Sequence, residues 1–397
     1  MTASTAPSTA LGSAGGWFRD GDCALDDFRS QVERITDLSD YPYADSIEHN
    51  VVVYGERLTE HVAAGPARRD VQSELVRALT EGPGVVVFKR AVEPAVVDRA
   101  TTAFNVMIAE QKAAGVRGGD HFAKAGANDR VWGALDKFAI RKPELFVDYY
   151  GCAALALVSE AWLGPAYQVT SQVNVVNPGG TAQTAHRDYH LGFMSAKQAA
   201  TYPTHAHLLT PVLTLQGAVA HCDMPVETGP TLYLPYSQTY PAGYLASHRP
   251  EFTDYFVEHY VQPPLEKGDA AFFNPAVFHG AGTNRCSDVR RMANLLQVSS
   301  AFGRAMETVD RTAMCKALYP VLARALAAEA DEARLRRVVA ASAEGYAFPT
   351  NLDADQPVAG LAPPSQAELV WSALRRGLQP AEVSRQLDAQ QARRTGG

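Results

Sequence analysis

Short apolar runs separated by Gly, Pro and Asn dominate the middle of the chain, between residues 168 and 301. Their length is typical of β-strands, and no regular helical segments lie between them. Strands this short without interspersed helices indicate an antiparallel sandwich or jelly roll. The predicted strands are Gln168–Val176, Val212–Ala220, Thr231–Leu234, Ala270–Phe273 and Met292–Ser299.

Helical periodicity flanks this region on both sides. Apolar residues recur every three or four positions, as in Val71, Leu75 and Leu79. Val85–Phe88, which follows a Gly-Pro-Gly stop signal, is predicted to be a short buried strand. Pro320 is expected to interrupt a helix, because proline lacks the amide hydrogen that a helix interior needs. The predicted helices begin at Pro66 and Pro94 and cover Pro143–Leu163, 305–341 and Gln366–Arg376.

These patterns divide the chain into four stretches. Residues 1–15 are rich in Ala, Ser, Thr and Gly and are expected to form a disordered leader. A mixed, mainly helical support region follows at 16–165, then the β core at 166–302, and finally a helical extension and tail at 303–397. The Pro-rich stretch before the last predicted helix does not require a domain boundary. We therefore expect one domain with helical additions at both ends.

Composition excludes several classes of protein. The 397 residues are 46% hydrophobic and 20% charged, with a net charge of −7, as in ordinary globular proteins. A nucleic-acid partner is disfavoured, because phosphate binding needs a concentrated basic surface. No apolar stretch is long enough to span a bilayer, so a membrane partner is also disfavoured.

Cysteine usage favours a reducing compartment. The five cysteines are scattered, odd in number and without CxxC spacing, which indicates free thiols and not disulfides or a zinc site. The N-terminus also lacks the basic start and apolar centre of a secretion signal. We therefore expect a cytoplasmic protein. The cysteines are Cys23, Cys152, Cys222, Cys286 and Cys315.

Candidate metal ligands lie within the β region. His186, Asp188 and His190 alternate in a His-Arg-Asp-Tyr-His segment, so an extended backbone would point all three to one face. Two imidazoles and one carboxylate can hold Fe(II) on one side and leave three positions open, whereas structural zinc takes four protein ligands. We predict iron held by His186, Asp188 and the distant His279. His190 is the alternative ligand, or a hydrogen-bond partner that orients Asp188.

Further motifs lie around these ligands. Gly229-Pro230-Thr231 and Gly268-Asp269 each precede a predicted strand, and His279-Gly280-Ala281-Gly282 is followed by arginines. Together with His186-x-Asp188, they resemble the phytanoyl-CoA dioxygenase family of Fe(II)/2-oxoglutarate-dependent oxygenases over the central third of the chain. The resemblance implies a mainly β core with helical flanks, formed as a double-stranded β-helix, which is a cupin-like jelly roll. In that case the region 166–302 is the catalytic core.

The resemblance also implies a site for 2-oxoglutarate. An arginine near the start of the next strand would bind the distal carboxylate of this cosubstrate. The family's usual spacing, eleven residues after the histidine, selects Arg290, since Arg291 points to the opposite face of a regular strand. Gln172 and Asn174 share one face of their predicted strand. Inside a jelly roll they need partners, which the cosubstrate, the substrate or ordinary core hydrogen bonds would supply.

The expected reaction is oxidation of an unactivated C–H bond of a small-molecule metabolite, above all hydroxylation, with consumption of O2 and release of succinate and CO2. The carboxylate of Asp188 argues against halogenation, for which related enzymes carry a small residue at this position. Two alternatives remain open: a cupin-like isomerase or hydrolase that uses the same metal site, and a binding module without catalysis. The helical flanks are candidates for a lid or a subunit interface, which leaves a homo-oligomer open.

Overall fold

The computed structural model describes residues 16–55, 57–58, 66–115, 126–188, 195–357 and 360–395. The predicted leader at 1–15 and the alternative ligand His190 lie outside these ranges. The strands are β1 Ser46–Glu48, β2 Val51–Tyr54, β3 Val85–Phe88, β4 Asn128–Val131, β5 Gln168–Val176, β6 Thr214–Ala220, β7 Leu232–Leu234, β8 Ala270–Phe273, β9 Phe278–Gly280 and β10 Arg291–Ser299. The α-helices are α1 Leu25–Val32, α2 Pro66–Thr80, α3 Pro94–Ala113, α4 Ala134–Arg141, α5 Pro143–Tyr150, α6 Ala153–Leu163, α7 Ala196–Ala199, α8 Thr204–Leu209, α9 Gly243–Ala246, α10 Pro250–His259, α11 Arg311–Ala327, α12 Glu332–Ser342, α13 Gln366–Arg375 and α14 Pro380–Thr395.

Two sheets of unequal size form the β core. The large sheet has the strand order β1-β2-β3-β8-β6-β10-β5-β4, and only β2 and β3 are parallel neighbours. The small sheet pairs β7 with β9 in antiparallel register. Isolated bridges extend it on both sides, from His186 to His279 and from Tyr233 to Val261.

From β5 onward the chain alternates between the two sheets. It passes from β5 in the large sheet to His186 in the small one, back to β6, then to β7 and Val261. It returns through β8 to the large sheet, through β9 to the small one, and ends in β10. This alternation is the connectivity of a double-stranded β-helix, so the predicted fold class is confirmed.

The large sheet is buried on both faces. Its outer face packs apolar side chains such as Val173, Leu296 and Phe272 against the helices in the main hydrophobic core. A Cβ atom on Gly217 would lie 2.4 Å from the Phe272 ring, so glycine permits this close packing of β6 and β8. Its inner face, which carries alanines and amide side chains, borders a cavity between the two sheets.

N-terminal residues cover the outside of the small sheet. Phe28 of α1 packs against Phe278 of β9, with ring centroids 5.1 Å apart, and edge-on against Phe252 of α10. Leu232 and Leu234 join the same apolar cluster. Burial of large aromatic side chains here holds the small sheet in place.

Two expectations about the helices are wrong. Pro143–Leu163 forms two helices, α5 and α6, with a break at Gly151 and Cys152. Pro320 lies inside α11, where neighbours such as Leu318 and Tyr319 are fully buried, and this packing offsets the missing hydrogen bond. The helix ends later, just before Glu329, which has a positive φ of 57°. Of the helices in the described ranges, none is long and apolar enough to cross a membrane.

Candidate metal centre and cavity

Three side chains converge at one end of the cavity. One ligand atom from each of His186, Asp188 and His279 lies within 4.8 Å of the others. The Nε2 atom of His186 is 3.8 Å from Oδ1 of Asp188, and Nε2 of His279 is 3.6 Å from Oδ2. The structure therefore brings together the three residues that the sequence singled out, although His279 lies far along the chain from His186 and Asp188.

Backbone carbonyls fix the orientation of both imidazoles. Nδ1 of His186 is 2.9 Å from the Thr184 oxygen, and Nδ1 of His279 is 2.9 Å from the Val277 oxygen. Because a carbonyl oxygen can only accept, each Nδ1 must carry the hydrogen. Each Nε2 then presents a lone pair towards Asp188, which is the arrangement that a metal ion requires.

The two histidines are joined through the backbone as well. His186 and His279 exchange hydrogen bonds of 3.0 and 3.1 Å across the small sheet. Arg187, between the two predicted ligands, points the other way, donates to the Ser237 and Tyr240 carbonyls, and lies over the rings of Phe278 and Tyr244. This buried anchor holds the His-x-Asp segment against the small sheet.

Asp188 is ionised in this setting. Burial raises the pKa of its carboxyl group, but the neighbouring side chains of His279 and His186 lower it more. The amide of Gln216 on β6 also donates to Oδ2 of Asp188 and contributes to the lowering. The net effect holds the pKa of Asp188 well below its usual range, so the anionic form needed to bind a cation is favoured.

The cavity beside these residues has a volume of about 990 Å³. That is the upper part of the range of small-molecule sites. Gln172 and Asn174 line it as predicted, and within hydrogen-bond distance the Nε2 of Gln172 and the Oδ1 of Asn174 have no partner among the described residues, although the carboxyl group of Glu307 lies near the Gln172 amide. Buried amide atoms of this kind are costly unless a ligand or water pairs with them.

Arg290 and Arg291 face the opposite sides from those expected. The side chain of Arg290 is 47% exposed and pairs with Asp129 at 2.9 Å and with Asn177 at 3.2 Å, outside the cavity. Arg291 is only 7% exposed and lines the cavity. The expectation for Arg290 therefore does not agree with its position, because β10 turns its odd-numbered side chains, Arg291 among them, towards the cavity.

Arg291 is a buried cation with little local compensation. Its one hydrogen bond is a long one, 3.5 Å, to the Gly282 carbonyl, and no carboxylate among the described residues lies within ion-pair distance. Burial lowers its pKa to about 10, so the guanidinium is still charged near neutrality. An unpaired buried charge is expensive, and its position in a cavity indicates that an anionic ligand supplies the partner.

Sequence reasoning missed Arg291, Gln216 and Arg187 as parts of this site. No sequence signal identifies Gln216, because its role depends on β6 lying opposite the small sheet. The same holds for Arg187, whose partners lie some fifty residues away.

Similar solved structures were found for about three fifths of the chain. One is the epimerase SnoN from nogalamycin biosynthesis in complex with Fe3+, alpha ketoglutarate and nogalamycin RO, with 18% identity and a TM-score of 0.41 over 60% of this chain and 87% of that one. Another is the non-heme alpha ketoglutarate dependent carbocyclase SnoK, with 21% identity and a TM-score of 0.40 over 61% of this chain and 89% of that one. A comparison with curated protein sequences gives no match.

The family comparison is more decisive. The sequence profile described as Phytanoyl-CoA dioxygenase (PhyH) matches residues 80–292. This range includes the His-Asp-His cluster, Arg291, strands β3 to β9 and the start of β10. The cluster and the buried arginine also fit iron and 2-oxoglutarate, the cofactors expected from the resemblance. Since the match covers more than half of the chain, the protein belongs to the phytanoyl-CoA dioxygenase family.

Proposed function

We propose that the protein is an Fe(II)/2-oxoglutarate-dependent dioxygenase that hydroxylates a C–H bond of a small-molecule metabolite. The observation that carries this proposal is the pairing of two features in one cavity: a three-residue metal cluster and a buried arginine without a carboxylate partner. Either feature alone would fit several functions. Together they fit a metal and a dicarboxylate cosubstrate.

Iron would be held by His186, Asp188 and His279. Their donor atoms would be two imidazole nitrogens and one carboxylate oxygen, which all lie within 4.8 Å of one another. This donor set leaves coordination positions open towards the cavity, as an oxygenase needs. When bound, iron and 2-oxoglutarate supply the activation of O2, with release of succinate and CO2 and oxidation of the substrate.

Arg291 would bind the distal carboxylate of 2-oxoglutarate. A planar guanidinium can form two parallel hydrogen bonds with a carboxylate, which is stronger and more specific than a single contact. The low exposure of Arg291 strengthens this interaction, because water competes weakly there. Arg290, already paired with Asp129 on the outside, is not available for this role.

Gln172 and Asn174 would complete the cosubstrate site. Both lie on the cavity face of β5, and Asn174 pairs across the sheet with Ala293, two residues from Arg291. The unpaired Nε2 of Gln172 can donate to a carboxylate or keto oxygen. Small side chains on the facing strands, such as Ala218 and Ala293, leave room for a ligand beside these amides.

Hydroxylation is favoured over halogenation, because Asp188 keeps the carboxylate that a halide would have to replace. The alternative is a cupin-like isomerase or hydrolase that uses the same metal site without a dicarboxylate cosubstrate, and such an enzyme would give Arg291 no role. A binding module without catalysis would gain nothing from open positions on a metal. The cavity volume accommodates a drug-sized metabolite beside the cosubstrate.

Anaerobic visible absorption tests this proposal without knowledge of the substrate. Fe(II) and then 2-oxoglutarate are added to the metal-free protein and to the His186→Ala variant. We expect a weak charge-transfer band that needs both additions in the wild type and is absent from the variant. If the wild type binds Fe(II) but 2-oxoglutarate produces no band, the protein is not a 2-oxoglutarate-dependent enzyme and the metalloenzyme alternative replaces this proposal.

A further inference from the structure

Gln216 occupies a special position beside the metal cluster. It lies on the cavity face of β6, is only 5% exposed, and its Nε2 donates a hydrogen bond to Oδ2 of Asp188. The two residues are 28 positions apart, with Gln216 in the large sheet and Asp188 two residues after the bridge of His186 to the small sheet. Gln216 is therefore the link between the large sheet and the carboxylate of the cluster.

This contact determines which carboxylate oxygen is available. Oδ2 of Asp188 accepts from the Gln216 amide and lies 3.6 Å from Nε2 of His279, whereas Oδ1 lies 3.8 Å from Nε2 of His186 and accepts no side-chain hydrogen bond from the described residues. A carboxylate that accepts a hydrogen bond from a fixed donor is held in one rotation, and the oxygen without the donor, Oδ1, keeps both lone pairs for a cation. A carboxylate free to rotate could bind through both oxygens and fill a position that an oxygenase must keep open.

The surroundings of Gln216 keep its amide in this orientation. Its register partners are Gln297 on β10 and Phe273 on β8, and the Phe273 ring lies 4.7 Å from that of His279. The Oε1 atom of Gln216 is buried without a hydrogen-bond partner among the described residues. The orientation that places Nε2 on Asp188 therefore carries the desolvation penalty of an unpaired acceptor. That cost indicates that the residue serves the site and not only the packing.

We infer that Gln216 is a positioning residue that restricts Asp188 to binding the metal through a single oxygen. The inference rests on the proposed iron site and goes beyond it, because it concerns coordination number and not the identity of the ligands. Loss of such an outer partner lowers metal affinity by about 10- to 100-fold in well-characterised sites. It should also change the number of ligand atoms around the metal, which a role in packing alone would not do.

Co(II) alone is the probe, because its visible absorption depends on the number and arrangement of its ligands. Gln216→Met removes the donor at nearly constant length, and Gln216→Asn keeps an amide that is too short to reach Asp188. Gln297→Met is the matched control, because Gln297 lies directly opposite on β10 and lines the same cavity. Thermal unfolding of each metal-free variant checks that it folds. If Gln216→Met does not fold, the test is made with Gln216→Asn.

We expect both Gln216 variants to bind Co(II) about 10- to 100-fold more weakly and to change the shape and intensity of its spectrum. The control should stay within about twofold of the wild type and keep the wild-type spectrum. If folded Gln216 variants bind Co(II) like the control, with the same spectrum, the inference is overturned while the proposed function stands. Failure of the wild type to bind Co(II) would instead contradict the proposed function itself.

Discussion

The two faces of the large sheet differ although the same strands form them. On the outer face of β10, Leu296 is 1% exposed and packs in the main hydrophobic core, beside Asn294, which donates to Tyr149 and Tyr150. On the inner face, Leu295 and Gln297 are only half-buried, because they border the cavity. One strand therefore contributes alternately to a filled core and to a space reserved for ligands.

This difference separates stability from function. The outer face is filled by side chains and gains most from burial, as close-packed interiors do. The inner face leaves about 990 Å³ unfilled and holds a buried cation and unpaired amides, all of which cost stability without a ligand. The inner face is thus expected to gain stability mainly when its ligands bind.

Neighbouring leucines on β10 give the largest expected contrast. Leu296→Ala should lower the free energy of unfolding by about 2–5 kcal/mol, because it opens a void in a close-packed core. Leu295→Ala should cost only about 1 kcal/mol, since its side chain already borders a cavity. Urea unfolding of the metal-free variants measures both, and equal losses at the two positions would show that the faces do not differ in this way.

The outer face should also account for part of the loss of stability in acid. Burial lowers the pKa of His221 to about 3, and its neutral ring contacts Thr101 at 2.8 Å and Tyr149 at 2.9 Å. The unfolded chain takes up a proton at this histidine below about pH 6.5, whereas the folded protein does not until much lower pH. The stabilisation is therefore complete above pH 6.5 and is lost as the pH falls towards 3.

Between pH 7 and pH 5 this effect should cost about 2 kcal/mol. Glutamine cannot become charged, so His221→Gln should lose about 2 kcal/mol less than the wild type over this interval. Urea unfolding of the metal-free proteins at both pH values gives the comparison. The same loss in both proteins would mean that His221 is already protonated, or is solvated, in the folded state.

Much of the β core could be predicted from the sequence. The bounds of β3, β5 and β8 are those expected, because each is a short apolar or alternating run with turn residues near its ends. The structure also brings His186, Asp188 and His279 together, as their residue types and the resemblance indicated. By contrast, β1, β2 and β4 were not foreseen: β1 and β4 are short strands at the rims of the sheet with weak patterns, whereas the apolar Val-Val-Val-Tyr run of β2 is as clear as that of β3.

The choice between Arg290 and Arg291 could not be made from the sequence. Because β10 is buried on both faces, its residues show no clear alternation of polar and apolar positions. The pattern therefore does not reveal whether the odd-numbered or the even-numbered side chains face the cavity. The register with β5 decides it by pairing Arg291 with Val176 at the edge of the cavity. A one-residue difference in register thus decides which of two neighbouring arginines faces the cavity.

That pair of arginines also provides the most direct test of the whole account. The affinity of the Fe(II)-loaded protein for 2-oxoglutarate is measured from the charge-transfer band in wild type, Arg291→Met and Arg290→Met. We expect Arg291→Met to bind 2-oxoglutarate at least about 30-fold more weakly, because removing one partner of a buried charge pair costs about 2–5 kcal/mol. Arg290→Met should stay within about twofold, as expected for an exposed ion pair. The opposite result, with weak binding in Arg290→Met and normal binding in Arg291→Met, would contradict the assignment of the inner face as the cosubstrate site.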